Sequence, residues 1–265
     1  MDTSHSFDRR IKSAIWSRNV DQLIYLCRTR SYRKQIVEFK SKGYRLVHVA
    51  AMFGSVALLE HLLTLGVNVK TKTDKLHDAE KNTLLIACEH GNFEFVKYLL
   101  RHVSDGSYRN AYIYQGNNYK NALYYAAKVG NLDIVRLLIR VGHLNINKVF
   151  QNNKTILLTL IEEEDNKAVN VLCQCKANVN IGWLEGRRQA IHIAAEKRDG
   201  GELLTLLLSC ACCGASVNKP WGNQQPLFIA VKHGLVKNAR VLLKAGADVH
   251  SEDLLQKWDL LVVSA

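Results

Sequence analysis

Two groups of side chains in this sequence contain the elements that chemistry needs. Five of its seven cysteines fall in two short runs, Cys173 and Cys175, then Cys210, Cys212 and Cys213. Four thiolates can hold zinc at about 2.3 Å each, but the usual C-x-x-C knuckle is missing. Cysteines inside apolar helical runs otherwise serve as small buried hydrophobes. The second group is Glu162-Glu163-Glu164-Asp165, the only dense acidic cluster of the chain. A calcium loop needs alternating ligands and a glycine turn, and neither is present, so the cluster reads as a solvated helix end. His48 and His192 lack a second ligand at a partnering spacing. No Gly-rich phosphate loop, His-Glu-x-x-His, nucleophile elbow or EF-hand loop occurs. The reading is of a chain with no metal site, no cofactor and no enzymatic chemistry.

The elements that carry these residues repeat. From Gln225 to His250, Pro226 suits the first turn of a helix, Leu227, Ile229, Ala230 and Val231 form its apolar face, and Gly234 ends it. Val236, Ala239, Val241, Leu242 and Leu243 mark a second helix, closed by Gly246. A pair of short helices cannot bury both faces alone and needs copies of itself on either side. Aligned on one small residue, the copies are Ala14, Ala50, Ala87, Ala126, Thr159, Ala194 and Ala230, at intervals of 36, 37, 39, 33, 35 and 36 residues. Glycine follows four residues later at Gly54, Gly91, Gly130 and Gly234, and a Leu-Leu doublet recurs in the second helix. Gly214-Ala-Ser-Val-Asn218, Ala177-Asn-Val-Asn180 and Gly246-Ala-Asp-Val-His250 repeat one ending.

This pattern resembles the ankyrin repeat over about residues 8 to 250. The resemblance implies an all-α ankyrin-repeat solenoid of stacked helix-turn-helix units with β-hairpin fingers, about seven repeats including a degenerate N-terminal cap. It implies that His48 and His192 hydrogen-bond between neighbouring turns. It also implies that fingers and first helices form a concave partner-binding surface. Counting three residues past the closing asparagines Asn147, Asn180 and Asn218 gives Phe150, Trp183 and Trp221, a row of rings on consecutive fingers. Arg187 and Arg188 flank Trp183, the composition of an interface hot spot. The insertion Val103–Lys120, with Tyr108, Tyr112, Tyr114 and Tyr119, is a second candidate surface, since Tyr-, Ser- and Asn-rich loops suit adaptable recognition. Thr83 and Thr155 are expected to cap the helices that follow them. Thr159 and the acidic cluster make the fifth repeat the poorest match, and Arg198–Gly201 lengthens the inter-helix turn of the sixth.

The domain reading follows. Residues 1–9 read as a disordered tail, 10–250 as the solenoid, and 251–265 as a C-terminal capping helix or the start of a further repeat. Residues 28–42 read as a basic connector. No apolar run reaches the roughly 18 residues of a membrane span. Met1–Arg10 is polar and charged, unlike a signal peptide. An odd cysteine count without a secretory signal points to a reduced compartment, the cytoplasm or the nucleus. The formal charge of +12 suggests an acidic partner. Lys70, Lys72, Lys75, Lys81, Arg109, Lys148, Lys154, Arg187, Arg188 and Lys219 are expected to make the finger edge positive. The functional reading is a non-catalytic scaffold, monomeric, binding a protein partner. Its alternatives are the recognition or regulatory domain of a larger protein, such as a ubiquitin-ligase adaptor, an enzyme or a channel, and charge-driven binding to nucleic acid or a membrane surface.

Overall fold

A computed structural model describes residues 3–74, 80–102, 120–150, 153–183, 188–210 and 214–249. Tyr108, Tyr112, Tyr114, Tyr119, Arg187, Cys212, Cys213 and the segment 251–265 lie outside the described residues. Within them the chain is helical, with fifteen α-helices and no strand longer than an isolated bridge. It forms two compact units, divided after Leu144.

In the first unit the helices are α1 (Thr3–Trp16), α2 (Val20–Arg28), α3 (Arg33–Glu38), α4 (Leu46–Phe53), α5 (Val56–Thr64), α6 (Thr83–Glu89), α7 (Phe93–His102), α8 (Ala122–Val129) and α9 (Leu132–Arg140). First helices pack on first helices (α4 on α6, α6 on α8), and second on second (α2 on α5, α5 on α7, α7 on α9). The second unit repeats this with α10 (Ile156–Glu162), α11 (Asn166–Gln174), α12 (Ala190–Glu196), α13 (Gly200–Leu208), α14 (Pro226–Lys232) and α15 (Val236–Lys244). Most of these helices span about two turns, too short to persist in water without tertiary packing. The first helices are therefore buried almost all round: Leu46 through Ala51 and Thr83 through Cys88 are inaccessible or nearly so. The second helices bury one stripe, as Ile134, Val135 and Leu138 do in α9.

One asparagine can serve two repeats at once. Asn131 Oδ1 accepts from the Ile134 amide at 3.0 Å and caps α9, while its Nδ2 donates to the Gly91 carbonyl of the preceding repeat at 3.2 Å. Asn92 reaches back likewise, donating to the carbonyls of Ala51 at 2.6 Å and Met52 at 3.1 Å. These bonds satisfy carbonyls that a helix end leaves open.

Several expectations are corrected. Residues 1–9 are not a free tail from Thr3 onward, because α1 starts there and buries Phe7 against Tyr32, with ring centroids 4.6 Å apart. The basic connector holds a 3₁₀ turn and α3, since Ile36 and Phe39 find the core. Asn82, not Thr83, caps α6, through Oδ1 to the Leu85 amide at 2.9 Å. The Thr83 hydroxyl instead donates to the Val69 carbonyl at 2.8 Å. Thr155 caps α10 as expected, accepting from the Leu158 amide at 3.3 Å.

The fifth repeat is also re-registered. The amide that opens the second helix bonds the carbonyl of Ala50, Ala87, Ala126 or Ala230 elsewhere, and that of Leu160 here. Leu160, not Thr159, is the equivalent residue, so the intervals on either side become 160 − 126 = 34 and 194 − 160 = 34 residues. Glu164 then fills the glycine position, with a left-handed φ of 61°. In the sixth repeat Gly200 lies so close to the end of α12 that an added Cβ would stand 1.9 Å from the Ala194 carbonyl oxygen.

Candidate functional site

Among the described residues four isolated antiparallel bridges lie at the fingers: Ser41 with Tyr44, Lys72 with Asn82, Trp183 with Arg188 and Trp221 with Gln224. In the second unit Trp183 exchanges both backbone bonds with Arg188, at 2.7 and 2.9 Å, and Trp221 does so with Gln224, at 3.0 and 3.1 Å. Phe150 donates its amide to Lys154 at 3.0 Å and accepts from Asn153 at 2.9 Å. All three rings are half-buried.

Each indole is covered by the cation of the preceding finger. Lys154 Nζ stands 3.7 Å from the Trp183 ring centroid, and the Arg188 guanidinium carbon 4.6 Å from that of Trp221. A carboxylate eight residues further on, at the end of the following helix, tethers each cation. Glu162 receives Lys154 at 2.7 Å, and Glu196 receives Arg188. The first unit repeats the device with Lys81, which bonds Glu89 at 2.6 Å and lies 4.8 Å from the Tyr125 ring centroid. Burial pulls the Lys81 pKa down, but the hydrogen bond and charge of Glu89 outweigh it, and the net shift is upward. An ammonium held over a ring gains about 0.5–2 kcal/mol, more as water is excluded. The indoles are thus fixed in orientation with one face already occupied.

Sequence reading had identified the rings and Arg188 but missed the carboxylates. The spacing of eight between a finger cation and glutamate (Lys81 to Glu89, Lys154 to Glu162, Arg188 to Glu196) was the available signal. These pairs also correct the expectation of a uniformly positive edge. Lys72 with Glu80, Lys81, Lys154 and Arg188 are each paired to a carboxylate of the chain itself.

The residues read as possible ligands are occupied structurally. His48 Nδ1 accepts from the Arg45 amide at 3.1 Å, and Nε2 bonds the Thr71 carbonyl at 3.0 Å. His192 does the same with Gln189 at 3.0 Å and Lys219 at 2.7 Å, which ties each helix start to the next finger. Burial lowers both pKa values, and the backbone bonds offset only part of that. The acidic cluster is divided among separate tasks: Glu162 holds Lys154, Glu164 holds Lys197 at 2.6 Å, and Asp165 caps α11 through the Ala168 amide at 2.9 Å. The Cys210 thiol lies 3.8 and 3.9 Å from the carbonyl oxygens of Cys173 and Ala177. Burial raises the Cys27 thiol to about 12.

Models of ankyrin repeats match residues 47–140, 109–182 and 223–254. Among curated proteins, the nuclear factor NF-kappa-B p105 subunit of Gallus gallus is 24% identical over 219 residues, or 69% of this chain. The chain spans only 22% of that relative's length. Among solved structures, the ankyrin repeat domain of Bcl-3, described as a unique member of the IkappaB protein family, superposes with a TM-score of 0.62 at 21% identity. That match covers 88% of this chain and 97% of the other. The fold is one whose usual use is non-catalytic protein–protein interaction. Among the described residues no helix is long and apolar enough to cross a membrane. The repeat pattern, the helix-on-helix packing and the family match agree: the chain belongs to the ankyrin-repeat family.

Proposed function

We propose that this chain is a non-catalytic, monomeric scaffold that binds a partner protein through the fingers of its second unit, with Phe150, Trp183 and Trp221 as anchors. The observation that carries the reading is the pair of indoles at equivalent finger positions, each held by a tethered cation. A side chain locked before binding loses little entropy on contact, which is where anchor residues gain their affinity. Arg187 and the Tyr108, Tyr112 and Tyr114 insertion extend the surface by sequence alone. Because several finger cations already have carboxylate partners, acidic groups on the partner would act mainly at the rim, in steering. Pure charge-driven binding to nucleic acid or membrane is disfavoured for the same reason.

The test is affinity capture with the wild type and with a Trp183→Ala/Trp221→Ala variant of matched melting temperature, followed by reconstitution with purified partners. Partners lost at least tenfold by the double variant support the finger row. An unchanged set of affinities removes it.

A second reading is the ankyrin portion of a larger regulator acting in the cytoplasm or nucleus. The short span of the chain on the p105 relative favours it.

A further inference from the structure

A groove in the first unit combines an apolar floor with a cationic rim. It encloses about 460 Å³ between the end of α1, the 41–44 finger and α4. Its floor is apolar, made by Ile15, Phe39, Val49 and Met52. Trp16 and Tyr44 form its walls, and Trp16 is 79% exposed, the most exposed large apolar side chain among the described residues. The rim carries Lys12, Arg18 and Lys42, and no carboxylate lines the groove. Lys12 is paired with Asp8 at 2.7 Å. Arg18 and Lys42 form no ion pair among the described residues. Arg18 lies 5.6 Å from the Phe53 ring centroid and Lys42 5.2 Å from that of Trp16, and Lys42 also borders a second cavity lined by Asp74 and Glu89.

The backbone adds a separate observation. Arg18 has φ 52° and Lys42 φ 50°, in the left-handed region that glycine or asparagine occupies at lower cost. Lys42 and Gly43, at φ 79°, are the two central residues of the Ser41–Tyr44 turn. Positive φ at both makes it a type I′ hairpin, where asparagine is the favoured first residue. At two adjacent places the chain therefore sets a long cation on a backbone that disfavours it, and both cations border the same apolar floor. His143, Asn153, Glu164 and Lys176 share this conformation at other turns, so the charge and the apolar floor, not the backbone, distinguish the groove.

We propose that this groove docks a short acidic segment of a partner protein, with one aliphatic or aromatic side chain on the Ile15/Val49/Met52 floor against Trp16, and flanking Asp or Glu carboxylates on Arg18 and Lys42. The charge complementarity selects an acidic occupant. Phe39 is buried in the floor and Trp16 is the one highly exposed apolar ring of the groove, which suits an apolar anchor better than a series of stacked bases, since those need successive exposed aromatic platforms. The site shares no residue with the finger row of the second unit and stands or falls separately.

The experiment pans a displayed library of random short peptides on the full chain, then measures selected peptides by fluorescence anisotropy. Three variants are compared: Trp16→Ala, Lys42→Asn, and Trp183→Ala/Trp221→Ala. Asparagine suits the turn and removes the charge, and Trp16 is exposed, so both groove variants keep the fold. Enriched peptides should combine Asp/Glu with an apolar anchor, lose about tenfold or more in affinity on Trp16→Ala and on Lys42→Asn, and be unaffected by the finger variant. Enrichment without acidic residues, no enrichment at all, or affinities indifferent to both groove variants overturns the proposal. So does tighter binding of oligo(dT) than of any selected peptide, which would make the groove a nucleic-acid site.

Discussion

His48 and His192 carry the clearest residue-scale consequence. Each imidazole is fully buried, accepts one backbone amide and bonds one carbonyl from the following finger, a geometry that requires the neutral ring. Their folded pKa values lie below the ordinary 6.5, chiefly through burial. As pH falls through about 6.5 the unfolded chain takes up protons that the folded chain does not, so unfolding becomes easier. The contribution is complete above that pH and declines on acidification until the folded pKa is passed, with a slope of at most about 1.4 kcal/mol per pH unit for each ring. Histidine NMR titration should find both midpoints below 6.5, and denaturant unfolding should show the matching loss. Midpoints at or above the ordinary value would refute the linkage.

Between elements, the least obvious tie is Asn238 on α15. Its Nδ2 reaches the carbonyls of Ala194 at 3.4 Å, Ala195 at 3.1 Å and Lys197 at 2.7 Å, at the end of α12. The sixth repeat lacks a glycine four residues after Ala194, and its next helix begins at Gly200 close against the Ala194 carbonyl. Beside the backbone amides of Lys197 and Gly200, which bond the Ala194 and Lys197 carbonyls at 3.3 and 3.0 Å, this helix end is met by a side chain from the following repeat. Asn238→Ala removes the side-chain donor that these carbonyls have among the described residues and should cost about 1–3 kcal/mol, read as a lowered urea midpoint. The loss should clearly exceed that of an exposed change such as Lys237→Ala, which should stay within about 0.5 kcal/mol. A neutral result would mean that water satisfies those carbonyls equally well.

At the scale of the whole molecule, stacked short helices make stability a sum of repeat and neighbour terms. A cavity in one repeat should therefore weaken its neighbours most and distant repeats least. Leu85 in α6 is fully buried, and Leu85→Ala should cost about 2–5 kcal/mol. Hydrogen exchange should show the loss of protection concentrated in α4 to α9, with the helices after residue 145 changed less. Equal loss in both units would show that they unfold as one cooperative block.

The helix pairs, their near-constant period and the family were legible in the sequence, because an apolar face at helical spacing and a glycine turn are local signals that recur. Thr155 and Pro226 also announced their helix starts, since caps and first turns depend on residues close in the chain. Three features depended on tertiary contacts. The register of the fifth repeat followed backbone bonding to Leu160, and the one signal for it was Asp165, a cap five residues on, as Asn19, Ser55 and Asn131 stand five after Ala14, Ala50 and Ala126. The cap of α6 went to Asn82 because Thr83 found a carbonyl in the finger before it. The finger row was visible as Phe150, Trp183 and Trp221. That the indoles lie beneath Lys154 and Arg188, each drawn back by a glutamate eight residues on, was settled only when adjacent repeats stacked. A ring and a cation about 30 residues apart in sequence share no local signal. Packing one repeat on the next is what brings them together.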